Sequence, residues 1–255
     1  MEHPPNKENH SHQNSNESDH KKNPAHPHHA KHSVQDIIMT RRSVRKYKNW
    51  DVPFDLVVQI LDSVKYAPFA GNIINCKTIV VKSAAKREAI AEACSQQLWM
   101  AEAPIHIVVV AEPEKIERFY GNRGVRLYSV QGIAAAIQNM LLTARELKLG
   151  SCWVGAFDEE EIRLTLNIPE HLEIHAVITV GYPAERTQMP PKYRLEHYMF
   201  FEKWWGRIEG PKNALGHWSW PIQKAVHSVK KMLTHRRPQY TEEEKDGHDE
   251  HVEHH

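Results

Sequence analysis

A short basic stretch, Arg41-Arg42-Ser43-Val44-Arg45-Lys46, holds the first residues whose types and spacing could do chemistry. Arginine presents a planar fork of donors that suits phosphate oxygens, and Ser43 adds a neutral hydroxyl beside it. The whole chain has 33 Lys and Arg against 32 Asp and Glu, so no overall charge draws it to nucleic acid or to an acidic membrane. The stretch therefore predicts a local phosphate site, with a solvated basic turn as the alternative.

Three later segments offer groups that would suit a bound heteroaromatic ligand. In Pro68-Phe69-Ala70-Gly71-Asn72, Gly71 allows close approach of the backbone, and Asn72 offers a donor and an acceptor to a ring edge or a sugar-like chain. In residues 150–157, the small pair Gly155-Ala156 leaves backbone N–H groups accessible. Lys192 and Arg194 could reach back towards an anion. Taken singly, these segments are equally compatible with a helix-ending loop, a buried strand and a charged loop.

The elements that must position these residues follow from the spacing of apolar side chains. A helix is predicted at Val34 to Thr40, a second from Pro53 to about Ala67, and a long core helix from about Arg126 to Lys148 with Gly150 as its stop. Asp158 and Glu161 form a capping-box pattern for a short helix through Leu166. Buried strands are expected at Thr78–Val81, Ile105–Val110 and Ala176–Val180. Trp153 and Phe157 are expected in the core.

The two ends of the chain differ in composition from its middle. Residues 1–32 are rich in His and contain no Val, Ile, Leu, Phe, Trp or Tyr, and residues 238–255 are acidic and His-containing, so both are expected to be disordered. Residues 204–237 form a Trp-rich, basic extension, expected to pack across a dimer, with contact to a membrane surface or nucleic acid as the alternative. The expected folded domain is 33–203.

The cysteines and the apolar runs bear on the compartment. Cys76, Cys94 and Cys152 are an odd number without CxxC spacing, which argues against a disulfide framework or a structural zinc site. No apolar run approaches the roughly 18 residues of a membrane span, and the polar N-terminus lacks a signal-peptide pattern. A cytoplasmic location is expected.

Taken together, the segments resemble the nitroreductase family of FMN-dependent oxidoreductases. The resemblance covers about residues 34–200 and depends on an Arg-x-Ser-x-Arg start, a Pro-x-Ala-Gly-Asn loop, the long helix around 131–140, the Gly-Ser-Cys-Trp-Val-Gly segment, and Gly-Tyr-Pro followed by Lys-x-Arg. This chain departs from the family where Gly132 replaces a common Asp, and where Ile74 and Asn75 replace Gln or Arg followed by Pro.

The resemblance implies an α+β, three-layer sandwich with a central, mostly antiparallel sheet and a long core helix at the interface of a homodimer. It implies an enzyme that takes hydride from NADH or NADPH onto FMN and passes it to a small nitroaromatic or quinone acceptor by a ping-pong mechanism. The implied FMN contacts are Arg41, Arg42, Ser43, Arg45, Pro68, Ala70, Asn72, Lys192 and Arg194, with Asn72 coming from the second subunit. The backbone of Gly155 and Ala156 would face the reactive ring nitrogen, and no side chain is implied as a catalytic acid or base.

Two other functions stay open at this point. One is a specialised flavin-dependent dehydrogenase or dehalogenase that uses a different electron donor. The other is a His-rich metal-binding protein with a redox-inactive core, since imidazoles such as those of His26, His28 and His29 bind divalent metals. Mobile tails without fixed geometry would bind metals only weakly. No metal site is predicted in the core.

Overall fold

The computed structural model describes residues 33–194 and 197–206. One compact unit ends at Met189 and a second begins at Pro190, and all the helices and strands named below lie in the first. The predictions for the tails, 1–32 and 238–255, lie outside the described residues, as does the predicted extension beyond residue 206. Within the described part of the chain, no helix is both long and apolar enough to cross a bilayer.

A four-stranded sheet forms the centre of the fold. Its strands are β1 (Cys76–Val81), β2 (Ile105–Ala111), β3 (Gly150–Val154) and β4 (Glu173–Gly181). The order across the sheet is β1-β2-β4-β3, and every neighbouring pair is antiparallel. The three strands predicted from β-branched runs are confirmed. β3 occupies residues for which a strand was only the alternative.

Helices cover both faces of this sheet. They are α1 (Val34–Thr40), α2 (Phe54–Asp62), α3 (Ala84–Ala93), α4 (Pro113–Arg123), α5 (Val130–Glu146) and α6 (Glu159–Leu166). The predicted α1, α2 and α6 are confirmed, and α2 tightens into a 3₁₀ turn at Ser63–Tyr66 before the proline at 68. The Asp158 side chain caps α6 by accepting from the backbone N–H groups of Glu160 and Glu161.

Alternation along β2 explains the three layers. Ile105, Ile107 and Val109 join the core that α2 and α5 cover on one face. Val108 and Val110 point the other way, into the core that α3 and α6 cover. Because successive side chains of a strand point to opposite faces, a strand buried at every position must lie between two helical layers. The predicted three-layer α+β sandwich is confirmed.

The long core helix differs from its prediction at both ends. It begins at Val130, after a π-helical turn at Gly124–Ser129, and it ends at Glu146. Gly150 is not its stop, because Lys148 already takes the left-handed conformation with φ 63° and Gly150 opens β3. A Cβ on Gly150 would lie 2.9 Å from the Val44 side chain, so glycine is needed there for close packing.

Candidate functional site

The predicted phosphate segment lies alongside the edge strand β3. Ser43 and Ser151 form a parallel bridge, and the Val44 amide donates to the Ser151 carbonyl at 3.0 Å. Because the bridge is parallel, the segment and β3 run in the same direction. After Val44 the segment leaves β3 for the end of β4, where Tyr47 bridges to Pro183 and the Ala184 amide donates to the Lys46 carbonyl at 2.9 Å.

Tyr47 fixes this segment to the sheet. Its hydroxyl donates to the Val44 carbonyl at 2.6 Å, so the 2.7 Å contact with Thr179 Oγ1 has the threonine as donor. Tyr47 is only 7% exposed, and this burial raises its pKa. The sequence analysis missed Tyr47, although a tyrosine directly after a basic cluster is a visible signal.

A cavity of about 770 Å³ opens at the Arg41 end of the segment. Four arginines and a single glutamate among its lining residues make it strongly cationic. Backbone and hydroxyl groups of Thr40, Ser151 and Thr187 add neutral hydrogen-bonding capacity. The lining consists of Thr40, Arg41, Arg42, Val44, Arg145, Leu149, Gly150, Ser151, Pro183, Glu185, Arg186, Thr187, Gln188 and Met189.

Two buried polar atoms of the cavity lining lack partners among the described residues. They are Nε of Arg42 and Oγ1 of Thr187. The Arg42 guanidinium otherwise turns onto its own chain, donating through one terminal nitrogen to the carbonyls of Met39 and Arg41. A buried polar group without a partner costs about 1–3 kcal/mol, and a bound anion would remove that cost. The cavity therefore has the chemistry of a phosphate site.

The sequence analysis did not find Arg145, Arg186 or Thr187. Arg145 stands in the last turn of α5, and Arg186 and Thr187 follow the Gly-Tyr-Pro sequence that ends β4. Nothing in their spacing relates them to residue 41. Arg145 reaches the cavity because α5 packs on α1, where its Nε donates to Thr40 Oγ1. Arg186 and Thr187 reach it because β4 neighbours β3 in the sheet.

Ser43 and Arg45 are not among the residues that line the cavity. They act on Cys152, whose pKa is raised by burial and lowered in turn by the Arg45 charge, a hydrogen bond with Ser43 and the Arg41 charge. The Arg45 guanidinium also lies 5.8 Å from the centre of the Trp99 ring. The positive charge of Arg45 therefore also acts outside the cavity, on the buried Cys152 of β3 and on the face of the Trp99 ring.

Gly155 and Ala156 follow directly on β3, and both are exposed. A Cβ added to Gly155 would meet only Trp153 Nε1, at 3.8 Å, so one side of this backbone is open. Trp153 is 41% exposed, so its predicted place in the core is wrong: β3 is an edge strand and this side chain points outwards. Phe157 packs against the core as predicted.

The loop at residues 68–72 lies apart from the cavity within one chain. Phe69 anchors it by packing on α5, where a Cβ on Gly132 would lie 2.6 Å from the phenyl ring. Gly71 sits beneath the Tyr120 hydroxyl with φ 60°, and Asn72 has φ 58°. Pro68, Gly71 and Asn72 are exposed, and Ala70 is half-buried. None of these residues lines the cavity.

Lys192 and Arg194, candidate metal ligands and the cysteines remain to be described. Lys192 and Arg194 lie in the unit that begins at Pro190, and their part in a phosphate site stays a prediction. Among the residues that the structure describes, no cluster of three or more His, Cys, Asp or Glu side chains could hold a metal ion. The three cysteines are all buried and unpaired.

Comparison with known proteins gives a consistent result. A family model described as "Nitroreductase family" matches residues 38–100 and 95–182. A "Putative NADH dehydrogenase/NAD(P)H nitroreductase" of Methanothermobacter thermautotrophicus is 36% identical over 162 residues, covering 61% of this chain and 80% of that protein. An "FMN reductase [NAD(P)H]" of Bacillus subtilis is 24% identical over 165 residues, covering 59% and 66%. The crystal structure of a nitroreductase family protein from Clostridium novyi NT superimposes with a TM-score of 0.55 at 27% identity, covering 69% of this chain and 96% of that one.

Proposed function

This chain belongs to the nitroreductase family, and we propose that it is an FMN-dependent oxidoreductase that moves hydride from NADH or NADPH through the flavin to a small acceptor. One observation carries the proposal: the segment that holds Arg41, Ser43 and Arg45 lies beside β3 next to a cationic cavity, and the backbone that follows β3 is open at Gly155. Relatives named as an NAD(P)H nitroreductase and an FMN reductase support the same chemistry.

The residues at the cavity fit the phosphate end of FMN. Arg41 makes no hydrogen bond or ion pair of its side chain within residues 33–194 and 197–206, so its guanidinium is available to an anion. The unpaired Arg42 Nε and Thr187 Oγ1 need an acceptor, and phosphate oxygens supply acceptors. Ser43 and Arg45, one and two residues beyond Arg42, would hold the ribityl chain and the pyrimidine edge. Lys192 and Arg194 would complete the phosphate site.

The open backbone at Gly155 and Ala156 fits the ring end. From Ser151 to Gly155 the chain spans at most about 13 Å, so a phosphate in the cavity and a ring at Gly155 lie within reach of one extended ligand. When bound, FMN supplies the hydride chemistry. The protein's contribution is to orient the ring with backbone N–H groups and to place positive charge from Arg45 near it.

The surroundings of Gly155 indicate where the nicotinamide donor and the electron acceptor bind. The exposed Trp153 ring stands beside the open backbone face and offers a flat surface to an aromatic molecule. We propose that the nicotinamide and the acceptor occupy this same face in turn, which gives a ping-pong mechanism. Nitroaromatics and quinones are the proposed acceptors because they are flat and accept hydride or electrons.

The loop at 68–72 supports a homodimeric site. Pro68, Gly71 and Asn72 present exposed polar and backbone groups away from the cavity of their own chain. In a homodimer with α5 near the interface, the partner's copy of this loop would contact the flavin, so each site would use residues from both chains. The cytoplasm is the proposed location.

An absorbance spectrum of the purified protein tests the proposal. After reconstitution with FMN, flavin bands should be present, and anaerobic NADPH or NADH should bleach them. A protein that stays colourless after reconstitution is not a flavoprotein, and the proposed function then fails.

The double variant Arg41→Ala/Arg45→Ala tests the site assignment. Each charge-assisted contact is worth about 1.5–3 kcal/mol, so FMN binding should weaken by several kcal/mol, measured as Kd by fluorescence titration. Lys82→Ala/Lys86→Ala removes two exposed cations elsewhere on the unit and serves as the matched control. Equal FMN affinity in both double variants would show that the segment does not hold the flavin.

A further inference from the structure

The cavity has more space and more positive charge than one phosphate group needs. A phosphate is only a few times larger than a water molecule, whose share of liquid volume is about 30 Å³. The cavity measures about 770 Å³. One phosphate bound by Arg41 and Arg42 would therefore leave most of the volume, and two further arginines, without a ligand.

Arg145 is held in position by its neighbour. Its Nε donates to Thr40 Oγ1 at 3.0 Å, while its terminal nitrogens make no hydrogen bond within the described part of the chain. This arrangement fixes the guanidinium at the cavity and leaves its outer edge for a ligand. A fixed guanidinium loses less side-chain freedom when it binds an anion.

Arg186 is exposed and makes no hydrogen bond or ion pair with a described residue. The one acidic lining residue, Glu185, makes its ion pair with Lys46, at 4.0 Å, and none with Arg186 within the described residues. All four arginines line the same cavity. Arg41 and Arg42 belong to the segment beside β3 and are called the inner pair, and Arg145 and Arg186, which lie outside that segment, are called the outer pair.

We propose that this outer pair, Arg145 and Arg186, binds the 2′-phosphate of NADPH and makes the enzyme prefer NADPH to NADH; the proposal rests on the proposed function. A resident cofactor suits the inner arginines with their buried, unpaired donor. An exchangeable co-substrate suits an exposed side chain such as Arg186. NADPH differs from NADH only by this phosphate, which is dianionic near neutral pH and suits bidentate arginine.

The distances within the site are compatible with this role. The cavity lies at most about 13 Å along β3 from the open backbone at Gly155, where the nicotinamide would meet the flavin. A dinucleotide carries its 2′-phosphate on the adenosine, at the end away from the nicotinamide. NADPH folded back over the bound flavin would therefore bring that phosphate to the cavity.

Steady-state kinetics of the FMN-loaded enzyme test the proposal. The wild type should show a higher kcat/KM with NADPH than with NADH, and 2′-AMP should compete with NADPH where adenosine does not. In Arg145→Gln/Arg186→Gln, kcat/KM for NADPH should fall at least about tenfold through KM, and the ratio between the two donors should approach one. Lys86→Gln, an exposed cation on α3, is the control and should keep the wild-type ratio.

Flavin content separates the possible failures. The outer pair does not bind the 2′-phosphate if the double variant retains FMN and loses activity with NADH and NADPH equally. The same holds if it keeps the wild-type ratio of kcat/KM for the two donors. If it loses FMN, the whole cavity serves the flavin phosphate, and this inference is wrong while the proposed function stands. Tighter binding of FAD than of FMN by the wild type would assign the extra volume to a larger flavin and would also overturn it. A wild type without flavin would instead contradict the proposed function itself.

Discussion

One hydroxyl, that of Tyr47, ties the basic segment to the sheet. Tyr47→Phe removes the donor to the Val44 carbonyl and the acceptor for Thr179, and it leaves both groups buried without their partner. Such a loss costs about 1–3 kcal/mol, so the free energy of unfolding in urea should fall by that amount. FMN affinity should fall as well, because the segment from Arg41 to Arg45 would be held less firmly.

Tyr66→Phe is the matched control for this variant. Tyr66 is exposed, and its hydroxyl should contribute less than about 0.5 kcal/mol to stability. If Tyr47→Phe lowers stability but leaves FMN affinity at the wild-type value, the hydroxyl serves the fold without positioning the site.

His106 gives the domain a pH-dependent stability. It is fully buried in β2, with Nε2 2.8 Å from the Met100 carbonyl, and burial lowers its pKa from 6.5 to about 4. Between these values the unfolded chain binds a proton that the folded chain does not, so stability falls as the pH falls. From pH 7 to 4.5 the loss should be about 2 kcal/mol. Urea unfolding across this range measures it.

His106→Gln tests the assignment, because glutamine can keep a donor but does not titrate. The variant's overall stability will differ from that of the wild type, but its dependence on pH between 7 and 4.5 should be shallower. An unchanged slope would place the pH dependence on other groups, such as His175, whose pKa is also lowered by burial.

At the scale of elements, α5 and the loop at 68–72 are coupled through Gly132. Gly132→Ala improves helix propensity by up to about 1 kcal/mol, but its Cβ would lie 2.6 Å from Phe69. Overpacking of this kind costs about 1–3 kcal/mol, so we expect net destabilisation in a thermal or urea melt. The same contact gives a physical reason why a larger side chain, such as the Asp that the family resemblance leads us to expect, does not fit here.

Gln138→Ala, on the exposed side of the same helix, is the control for Gly132→Ala and should change stability by less than about 0.5 kcal/mol. If Gly132→Ala proves more stable than the wild type, Phe69 has moved away without cost and does not anchor the loop.

Elements with strong periodicity could be predicted from the sequence, and elements without it could not. The apolar stripe of α5 is long enough to fit only a helix, and the short β-branched run of β2 fits only a strand. α4 was missed because a charged sequence with Ile116 as its only buried residue has little apolar periodicity. Gly150 was mistaken for a helix stop because its closeness to Val44 depends on residues more than 100 positions earlier.

At the scale of the whole molecule, the α1–α2 side of the domain is rich in exposed apolar side chains, including Val34, Ile38, Phe54 and Val58. Patches of this kind mark association surfaces. We expect a homodimer with twice the 29.6 kDa mass of the chain by light scattering. Val58→Glu should shift it towards monomer and release FMN, since each site would lose the partner's loop at 68–72.

Leu164→Glu places the same charge at an exposed leucine on α6, in the opposite layer, and should leave the mass at that of the dimer. A Val58→Glu monomer that keeps its FMN affinity would show that one chain holds the flavin by itself.

The candidate site was only partly visible in the sequence for a related reason. Arg41, Ser43 and Arg45 could be named because they are close together and chemically distinctive. Arg145, Arg186 and Thr187 could not, since only the packing of α5 on α1 and the pairing of β3 with β4 relate them to Arg41. The relation of Tyr47 to Thr179, 132 residues apart, is hidden in the same way.

The distance in sequence between the basic segment and its anchors affects the order of events during synthesis and folding. The basic segment is among the first parts of the domain to be synthesised, yet its anchors, Thr179 and the backbone of Tyr182, are among the last. Contacts of such long range form late in folding, because the intervening loop must first be closed. A chain still emerging from the ribosome therefore has its arginines before the proposed phosphate site is assembled, and we expect it to bind flavin only once the domain is complete.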